Sequence, residues 1–250
     1  MRKPREKSKS GIYHVVLRGV NKKQVFYDDQ DCMKYISLLK RYKKECGYKI
    51  FAYCLMGNHL HLLIQEGEVS LGNIFKRIGP AFSYWYHKKY KSCGHIFQGR
   101  FLSEPVDSQE YFQTVLRYIL RNPVKAKLCA TIIDYKYSNA RALLCNLPTF
   151  TDTKVLFTYI GQNQLRELLS ITNDDNCLEL NETIPTGVTD ETAIELILQE
   201  FGTLSPNVGS INSEERKVFT TSIKKLKEKE LGIRQLSRLT GIPRAVIRTA

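Results

Sequence analysis

The sequence has no long hydrophobic run: nowhere do its apolar residues approach the roughly 18 in succession that a membrane-spanning helix needs. The basic start, residues 1–10, is followed by no apolar core before the polar residues Asn21 to Lys23, so a secretory signal is not indicated either. These absences lead us to expect a cytoplasmic protein with no membrane partner.

The chain also has fewer acidic than basic residues. The chain has 25 Asp and Glu against 38 Lys and Arg, a formal net charge of +13. Residues 1–166 contain 28 basic and 12 acidic residues, residues 167–213 contain 9 acidic and no basic residues, and residues 214–250 contain 10 basic and 4 acidic residues. Two basic segments that flank an acidic connector favour a polyanionic partner, and we predict nucleic acid.

Cysteine pairs at metal-ligand spacing are missing. The seven cysteines form an odd number and include no Cys-x-x-Cys pair, which disfavours both a disulfide framework and a thiolate zinc site. We expect reduced, mostly buried thiols. The composition of 42% hydrophobic and 25% charged residues is that of an ordinary globular protein with a core.

Hydrophobic periodicity predicts an α+β domain in the first half of the chain. The predicted strands are residues 11–18, 49–56, 59–65 and 100–106. The first predicted helix follows a cap at Asp28 or Asp29 and is ended by Gly47, and two further helices are predicted at residues 70–90 and 108–122. Gly57-Asn58 predicts the turn of a hairpin, and Pro123 predicts a helix end near Asn122. The order β-α-β-β-α-β-α indicates a ferredoxin-like fold, with one antiparallel sheet and its helices on one face.

The pattern becomes wholly helical from Asp190 onward. Residues 232–248 have the shape of a helix-turn-helix, with Thr240-Gly241-Ile242 as the turn and Pro243 opening the second helix. A small packed helical subdomain without a DNA role is the other interpretation. We therefore divide the chain into residues 1–150 as a catalytic domain, 151–189 as a helical, acidic connector, and 190–250 as a helical DNA-binding domain.

Two pairs of residues point to chemistry. His59 and His61 lie two apart in a predicted strand, so both imidazoles project from one face and can converge on a metal ion. Tyr118 and Asn122 lie four apart in a predicted helix and so share a helical face. A phenol beside a divalent metal in a basic protein suggests phosphoryl transfer with tyrosine as nucleophile.

Three blocks of sequence resemble the signatures of one family. They are Gly57-Asn58-His59-Leu60-His61-Leu62-Leu63, Phe97-Gln98-Gly99-Arg100-Phe101 and Tyr118-Ile119-Leu120-Arg121-Asn122-Pro123-Val124. In this order and spacing they are similar to those of the single-tyrosine HUH transposases, in particular the REP-associated tyrosine transposases. The resemblance runs from about Gly11 to Leu144.

The resemblance implies metal-dependent cleavage and rejoining of single-stranded or hairpin DNA through a 5′-phosphotyrosine. By this resemblance Tyr118 is the nucleophile, and His59, His61 and Asn122 hold Mg²⁺ or Mn²⁺. No nucleotide cofactor is needed. We assign DNA contact to a further set of polar residues in the first domain and to two arginines of the C-terminal region that would bind duplex: Lys22, Lys23, Gln98, Arg100, Arg244 and Arg248.

Two other functions are compatible with parts of the pattern. One is a catalytically silent, hairpin-binding regulator with a helix-turn-helix domain, although such a protein would have no need of His59, His61 and Tyr118 together. The other is a metal-dependent phosphatase or hydrolase, which usually draws several carboxylates to its ions; the histidine block contains none. The sequence leaves the target DNA and the oligomeric state open.

Overall fold

The chain divides into two compact units, Met1–Glu179 and Leu180–Ala250. The structure is a computed structural model that describes residues 5–171, 177, 190–204, 206, 213–229 and 231–249. The predicted domain boundary between residues 150 and 151 lies inside the first unit. The predicted boundary between residues 189 and 190 lies inside the second unit.

A four-stranded antiparallel sheet forms the centre of the first unit. Its strands are β1 (Ile12–Arg18), β2 (Lys49–Met56), β3 (His59–Gln65) and β4 (Leu102–Pro105), arranged in the order β2-β3-β1-β4. The mixed α/β architecture with an antiparallel sheet is therefore confirmed. The strand predicted at residues 100–106 is shorter, because β4 begins only at Leu102.

Two helices cover one face of this sheet. They are α1 (Asp29–Cys46) and α2 (Leu71–Tyr90), which pack with Tyr13, Val15 and Leu17 of β1 in one core cluster. The side chain of Asp28 caps α1, and Gly47 ends it in the left-handed conformation with φ 69°. Pro80 lies within α2, which continues to Tyr90.

A third helix covers the opposite face, so the prediction that the helices lie on one face is wrong. Helix α3 (Gln109–Lys125) packs with Ile12 of β1, Leu63 of β3 and Phe51 of β2 in a second core cluster. The physical reason is that the strands are apolar on both faces: Ile12 and Tyr13, neighbours on β1, are both buried. A sheet with two apolar faces needs a covering layer on each.

Helix α3 also runs past the proline that was predicted to end it. Pro123 is buried within the helix, which continues to Lys125. Proline at this position removes only the bond that its own N–H would donate to the carbonyl of Ile119, close to the helix end. Asn122 thereby remains in the helix, one turn after Tyr118.

Shorter helices complete the cluster around α3. They are α4 (Ala140–Leu144), α5 (Thr153–Tyr159) and α6 (Gln162–Ser170). Leu156 of α5 and Leu165 of α6 are buried in the same core cluster as α3. All seven cysteines are free thiols, but only Cys32, Cys46 and Cys54 are buried, so the expectation of mostly buried thiols is wrong.

The regular structure of the second unit, within its described residues, is helical. It contains α7 (Asp190–Phe201), α8 (Ser213–Glu228), α9 (Ile233–Thr240) and α10 (Arg244–Thr249), which surround an apolar core that includes Ile197, Ile223 and Leu236. Gly241 follows α9 with φ 74°, a conformation that favours glycine. None of the helices in the described part of the chain has the length and apolarity of a membrane span.

Candidate active site

The two histidines of β3 project from the face of the sheet that α3 covers. His61 pairs with Val16 of β1, and His59 pairs with Arg18, so the pleat places both imidazoles on one side. Their ring centroids lie 4.9 Å apart with an interplanar angle of 85°. The predicted convergence of the two rings is present.

Each histidine uses its Nδ1 to contact a neighbouring side chain. Nδ1 of His59 lies 2.6 Å from Oδ1 of Asn58, and Nδ1 of His61 lies 3.1 Å from Nε2 of His14. The other nitrogen of His61, Nε2, lies 3.2 Å from Nδ2 of Asn122. Asn122 of α3, His61 of β3 and His14 of β1 therefore form a hydrogen-bonded chain.

Burial keeps these imidazoles uncharged. Burial, and then the nearby Arg18 cation, lowers the pKa of His59 to about 4. Burial also lowers the pKa of His61 well below its usual range, with smaller contributions from His14 and His59, and it lowers the pKa of His14 to about 3. Neutral imidazoles retain a lone pair, which a metal ion requires.

Helix α3 brings the predicted nucleophile to this cluster. The ring centroid of Tyr118 lies 5.5 Å from that of His61 and 5.7 Å from that of His14. The ammonium of Lys125, two turns further along α3, lies 5.9 Å from the Tyr118 ring centroid. Tyr118 is buried, with 9% of its surface exposed.

Tyr111 does not share this environment. Its hydroxyl donates to Oε2 of Glu104 at 2.5 Å. Burial and this carboxylate raise the pKa of the Tyr111 phenol. Tyr111 lies about two turns before Tyr118 on α3, but it is the ring of Tyr118 that contacts the histidines.

Backbone bonds bring the block of residues 97–101 beside the strand that precedes the histidine hairpin. Gln98 donates its N–H to the carbonyl of Arg18 at 2.7 Å, and Arg18 pairs with His59 in the sheet. The Arg100 side chain is exposed. The structure therefore places the backbone of Gln98 next to the site and leaves Arg100 accessible to a ligand.

The loop after β1 holds the two predicted lysines near the histidine hairpin. Gly19 donates to the carbonyl of Asn58 at 2.8 Å, and the carbonyl of Lys22 accepts from Nδ2 of Asn58 at 3.1 Å. A Cβ at Gly19 would lie 2.2 Å from the carbonyl oxygen of Lys23, so this tight loop requires glycine. Lys22 and Lys23 are both exposed.

The first half of the chain is similar to a known protein family. Residues 7–122 match the model of the family described as "Transposase IS200 like". We name these residues the transposase domain after that match. The similarity supports a DNA-processing enzyme, as the sequence predicted.

Two solved structures are similar to the chain. One is a REP-associated tyrosine transposase bound to a REP hairpin, with 17% identity and a TM-score of 0.51, covering 61% of this chain and 93% of that one. The other is a putative transposase from Deinococcus radiodurans R1, with 16% identity and a TM-score of 0.35, covering 50% of this chain and 97% of that one. The first likeness supports the fold. No curated protein matches the chain.

The donor atoms of the transposase domain suit a divalent cation. Within the described residues, no group of three or more His, Cys, Asp or Glu side chains is placed to hold a metal. The side chains that could hold one are His59, His61 and Asn122, and the amide oxygen of Asn122 faces the ring of His61 after a half-turn about its last torsion angle. Imidazole nitrogens are ligands of transition-metal ions, whereas Mg²⁺ prefers oxygen ligands and would retain more water.

Sequence reasoning missed two residues of the transposase domain. His14 is fully buried on β1 and stacks on His61 with centroids 5.3 Å apart. Arg18 lies opposite His59 and adds positive charge beside it. The one available signal is that His14 interrupts the apolar run Ile12–Leu17, but only the pairing of β1 with β3 shows what it contacts.

Proposed function

We propose that the transposase domain cleaves and rejoins one DNA strand through a 5′-phosphotyrosine, using a divalent metal, on hairpin or single-stranded DNA. The observation that carries this proposal is the contact of the Tyr118 ring with His61, which also contacts Asn122. A phenol placed against a cluster of neutral imidazoles suits metal-assisted phosphoryl transfer with tyrosine as the nucleophile.

Tyr118 supplies the nucleophile in this reaction. Its hydroxyl oxygen attacks a backbone phosphorus, the bond to the 3′ oxygen breaks, and the 5′-phosphate becomes esterified to the tyrosine. The phenol gives its proton to solvent during attack, and the departing 3′ oxygen takes up a proton to become a 3′-hydroxyl. Lys125, whose ammonium lies 5.9 Å from the ring centroid, favours the negative charge that develops on the phenol oxygen. A 3′-hydroxyl that attacks the phosphotyrosine reverses these steps and joins strands.

His59, His61 and Asn122 would hold Mg²⁺ or Mn²⁺, whose double charge would stabilise the phosphate as charge develops on it. Because the two imidazoles are neutral, they would not offset the positive charge of the ion. Lys22, Lys23 and Arg100, all exposed, and Gln98, which is partly exposed, provide the donors that would hold the DNA backbone near the site.

The second unit would add a duplex-binding element. Helices α9 and α10, joined through Gly241, have the order of a helix-turn-helix with α10 as the recognition helix. Arg244 and Arg248 of α10 are exposed. Arg238 of α9, in contrast, is held by both carboxylate oxygens of Asp190, at 2.6 and 2.7 Å. This difference favours the two α10 arginines as the DNA contacts.

The test is covalent capture of a labelled single-stranded or hairpin oligonucleotide. Tyr118→Phe should abolish the denaturation-resistant adduct and change DNA affinity little, because only the nucleophilic oxygen is lost. Tyr111→Phe is the matched control: it removes a hydroxyl from the same helix and should retain the adduct.

An adduct that persists in Tyr118→Phe would contradict the assignment of the nucleophile. Hairpin binding without any adduct in the wild-type chain would favour the alternative, a catalytically silent hairpin-binding regulator.

A further inference from the structure

A buried histidine outside the predicted catalytic set ends the hydrogen-bonded chain of the site. His14 has no exposed surface, and its Nε2 lies 3.1 Å from Nδ1 of His61. Its own Nδ1 is buried and has no hydrogen-bond partner among the described residues. An unsatisfied buried nitrogen opposes folding, so stability alone does not explain a histidine here.

The position of one proton decides whether His61 can hold a metal. A neutral imidazole carries a single proton, on either Nδ1 or Nε2. The Nε2 of His61 is the nitrogen that faces Asn122. A metal at this nitrogen requires the proton to be on Nδ1, and an Nδ1–H buried in the core requires an acceptor. The Nε2 of His14 lies at the distance of such an acceptor.

His59 has the same arrangement with a different acceptor. Its Nδ1 lies 2.6 Å from Oδ1 of Asn58, a side-chain oxygen that can accept a hydrogen bond from Nδ1–H and so leave Nε2 with its lone pair. Both histidines of β3 thus contact a neighbouring side chain through Nδ1. For His59 that side chain belongs to the preceding residue, whereas for His61 it belongs to the neighbouring strand.

We propose that His14 is a positioning residue that accepts the Nδ1–H of His61 and so holds the Nε2 lone pair of His61 ready for the metal. This inference rests on the proposed function, because it concerns the same site. The proton count is unchanged: His61 keeps its proton on Nδ1, and His14 keeps its own on the unpartnered Nδ1. Such outer contacts fix the orientation and tautomer of a ligating imidazole.

The first test measures binding of Mn²⁺ alone to the full chain by the paramagnetic resonance signal of the free ion. His14→Leu removes the acceptor and should weaken binding about 10- to 100-fold, as changes to such contacts do. His14→Gln keeps an acceptor oxygen near the position of Nε2 and should restore most of the affinity. Val16→Ala is the packing control, since Val16 lies opposite His61 and has no polar side-chain atom.

Stability separates this role from a structural one. His14→Leu replaces a buried, half-satisfied imidazole by an apolar side chain, so its urea midpoint should equal or exceed that of the wild type while Mn²⁺ affinity falls. A His14→Leu protein that folds and binds Mn²⁺ as the wild type does would overturn the proposal. So would a His14→Gln protein as weak as His14→Leu.

The second test needs neither metal nor a variant. Long-range ¹H–¹⁵N correlation spectra of the metal-free wild-type chain should show the His61 proton on Nδ1, and a proton on Nε2 would overturn the proposal. A wild-type chain that binds no Mn²⁺ would instead contradict the metal site of the proposed function, and the tautomer of His61 would still decide the role of His14.

Discussion

His61 is the residue on which the polar contacts of the site converge. One ring nitrogen faces Asn122 and the other faces His14, while the ring edge meets Tyr118. Only 2% of its surface is exposed, and burial holds its pKa well below the usual range. A histidine in this setting is uncharged at neutral pH, so it does not repel a cation.

Metal removal tests this residue-scale arrangement. Chelation should lower strand cleavage by about 10²- to 10³-fold, the usual cost of losing fixed charge stabilisation at a transition state. Added Mn²⁺ or Mg²⁺ should restore the rate in the wild type but not in His59→Ala. Single-turnover cleavage of a labelled oligonucleotide measures both effects.

His95→Ala is the control for this prediction, because His95 is exposed. It should respond to chelation and to added metal as the wild type does. Cleavage at full rate in the presence of chelator would contradict the metal site.

Strand β2 shows how this fold protects an edge of its sheet. It is the outermost strand on one side, and residues 137–139 and Asp152 contact it. The side chain of Asn139 accepts from the N–H of Tyr53 at 3.0 Å and donates to the carbonyl of Phe51 at 2.9 Å. Asp152 accepts from the N–H of Ile50 through its side chain at 2.8 Å and donates its own N–H to the carbonyl of Ile50 at 2.8 Å. Side-chain and backbone groups thus take the place of a fifth strand at this edge.

Asn139→Ala tests this element-scale role. It leaves the N–H of Tyr53 and the carbonyl of Phe51 without their side-chain partner in a buried place, and we expect a loss of about 2–4 kcal/mol in the free energy of unfolding. Urea denaturation followed by fluorescence is selective, because Trp85, the single tryptophan, lies on α2 of the first unit.

Asn73→Ala is the matched control, since Asn73 is exposed on α2. It should change the free energy of unfolding by less than about 0.5 kcal/mol. A similar small effect of Asn139→Ala would show that the edge does not depend on this side chain.

Across the whole molecule, positive charge is divided between two units. The first unit contains the histidine and tyrosine cluster, and the second contains an arginine-bearing helix pair. Each unit has its own apolar core: Leu62 and Phe82 are buried in the first, Ile223 and Leu236 in the second. Because each unit has its own core, we expect that substitutions can alter the proposed DNA cleavage and the proposed duplex binding independently.

The double change of Arg244→Ala and Arg248→Ala tests this division. Duplex binding should weaken, by about 1–3 kcal/mol for each side chain that makes a bidentate base contact. If either arginine binds a phosphate instead, the slope of log K against log salt should fall by about 0.9 for each arginine that does so. Single-turnover cleavage of a saturating short oligonucleotide should be unchanged.

Lys88→Ala with Lys91→Ala removes two exposed charges from the first unit and serves as the control for net charge. It should leave the specific duplex affinity of the second unit in place. A fall in the cleavage rate of the Arg244 and Arg248 variant would contradict independent roles for the two units.

Local patterns were enough to predict most elements. Strands β2 and β3 begin and end at the predicted residues, because short apolar runs and the Gly57-Asn58 turn between them are local signals. Helix α1 likewise follows from a capping aspartate and a terminal glycine. The predicted end of α3 near Asn122 was wrong, because packing around buried Pro123 outweighs the local preference of a helix to stop before proline.

Strand and helix periods place His59 with His61 on one face and Tyr118 with Asn122 on another, so both pairs follow from local sequence. That the two pairs meet depends on long-range packing, because α3 must cover the face of the sheet opposite α1 and α2. The contact between His14 and His61 also depends on long-range packing. His14 lies 47 residues from His61 in the chain, and antiparallel pairing of β1 with β3 brings their nitrogens to 3.1 Å.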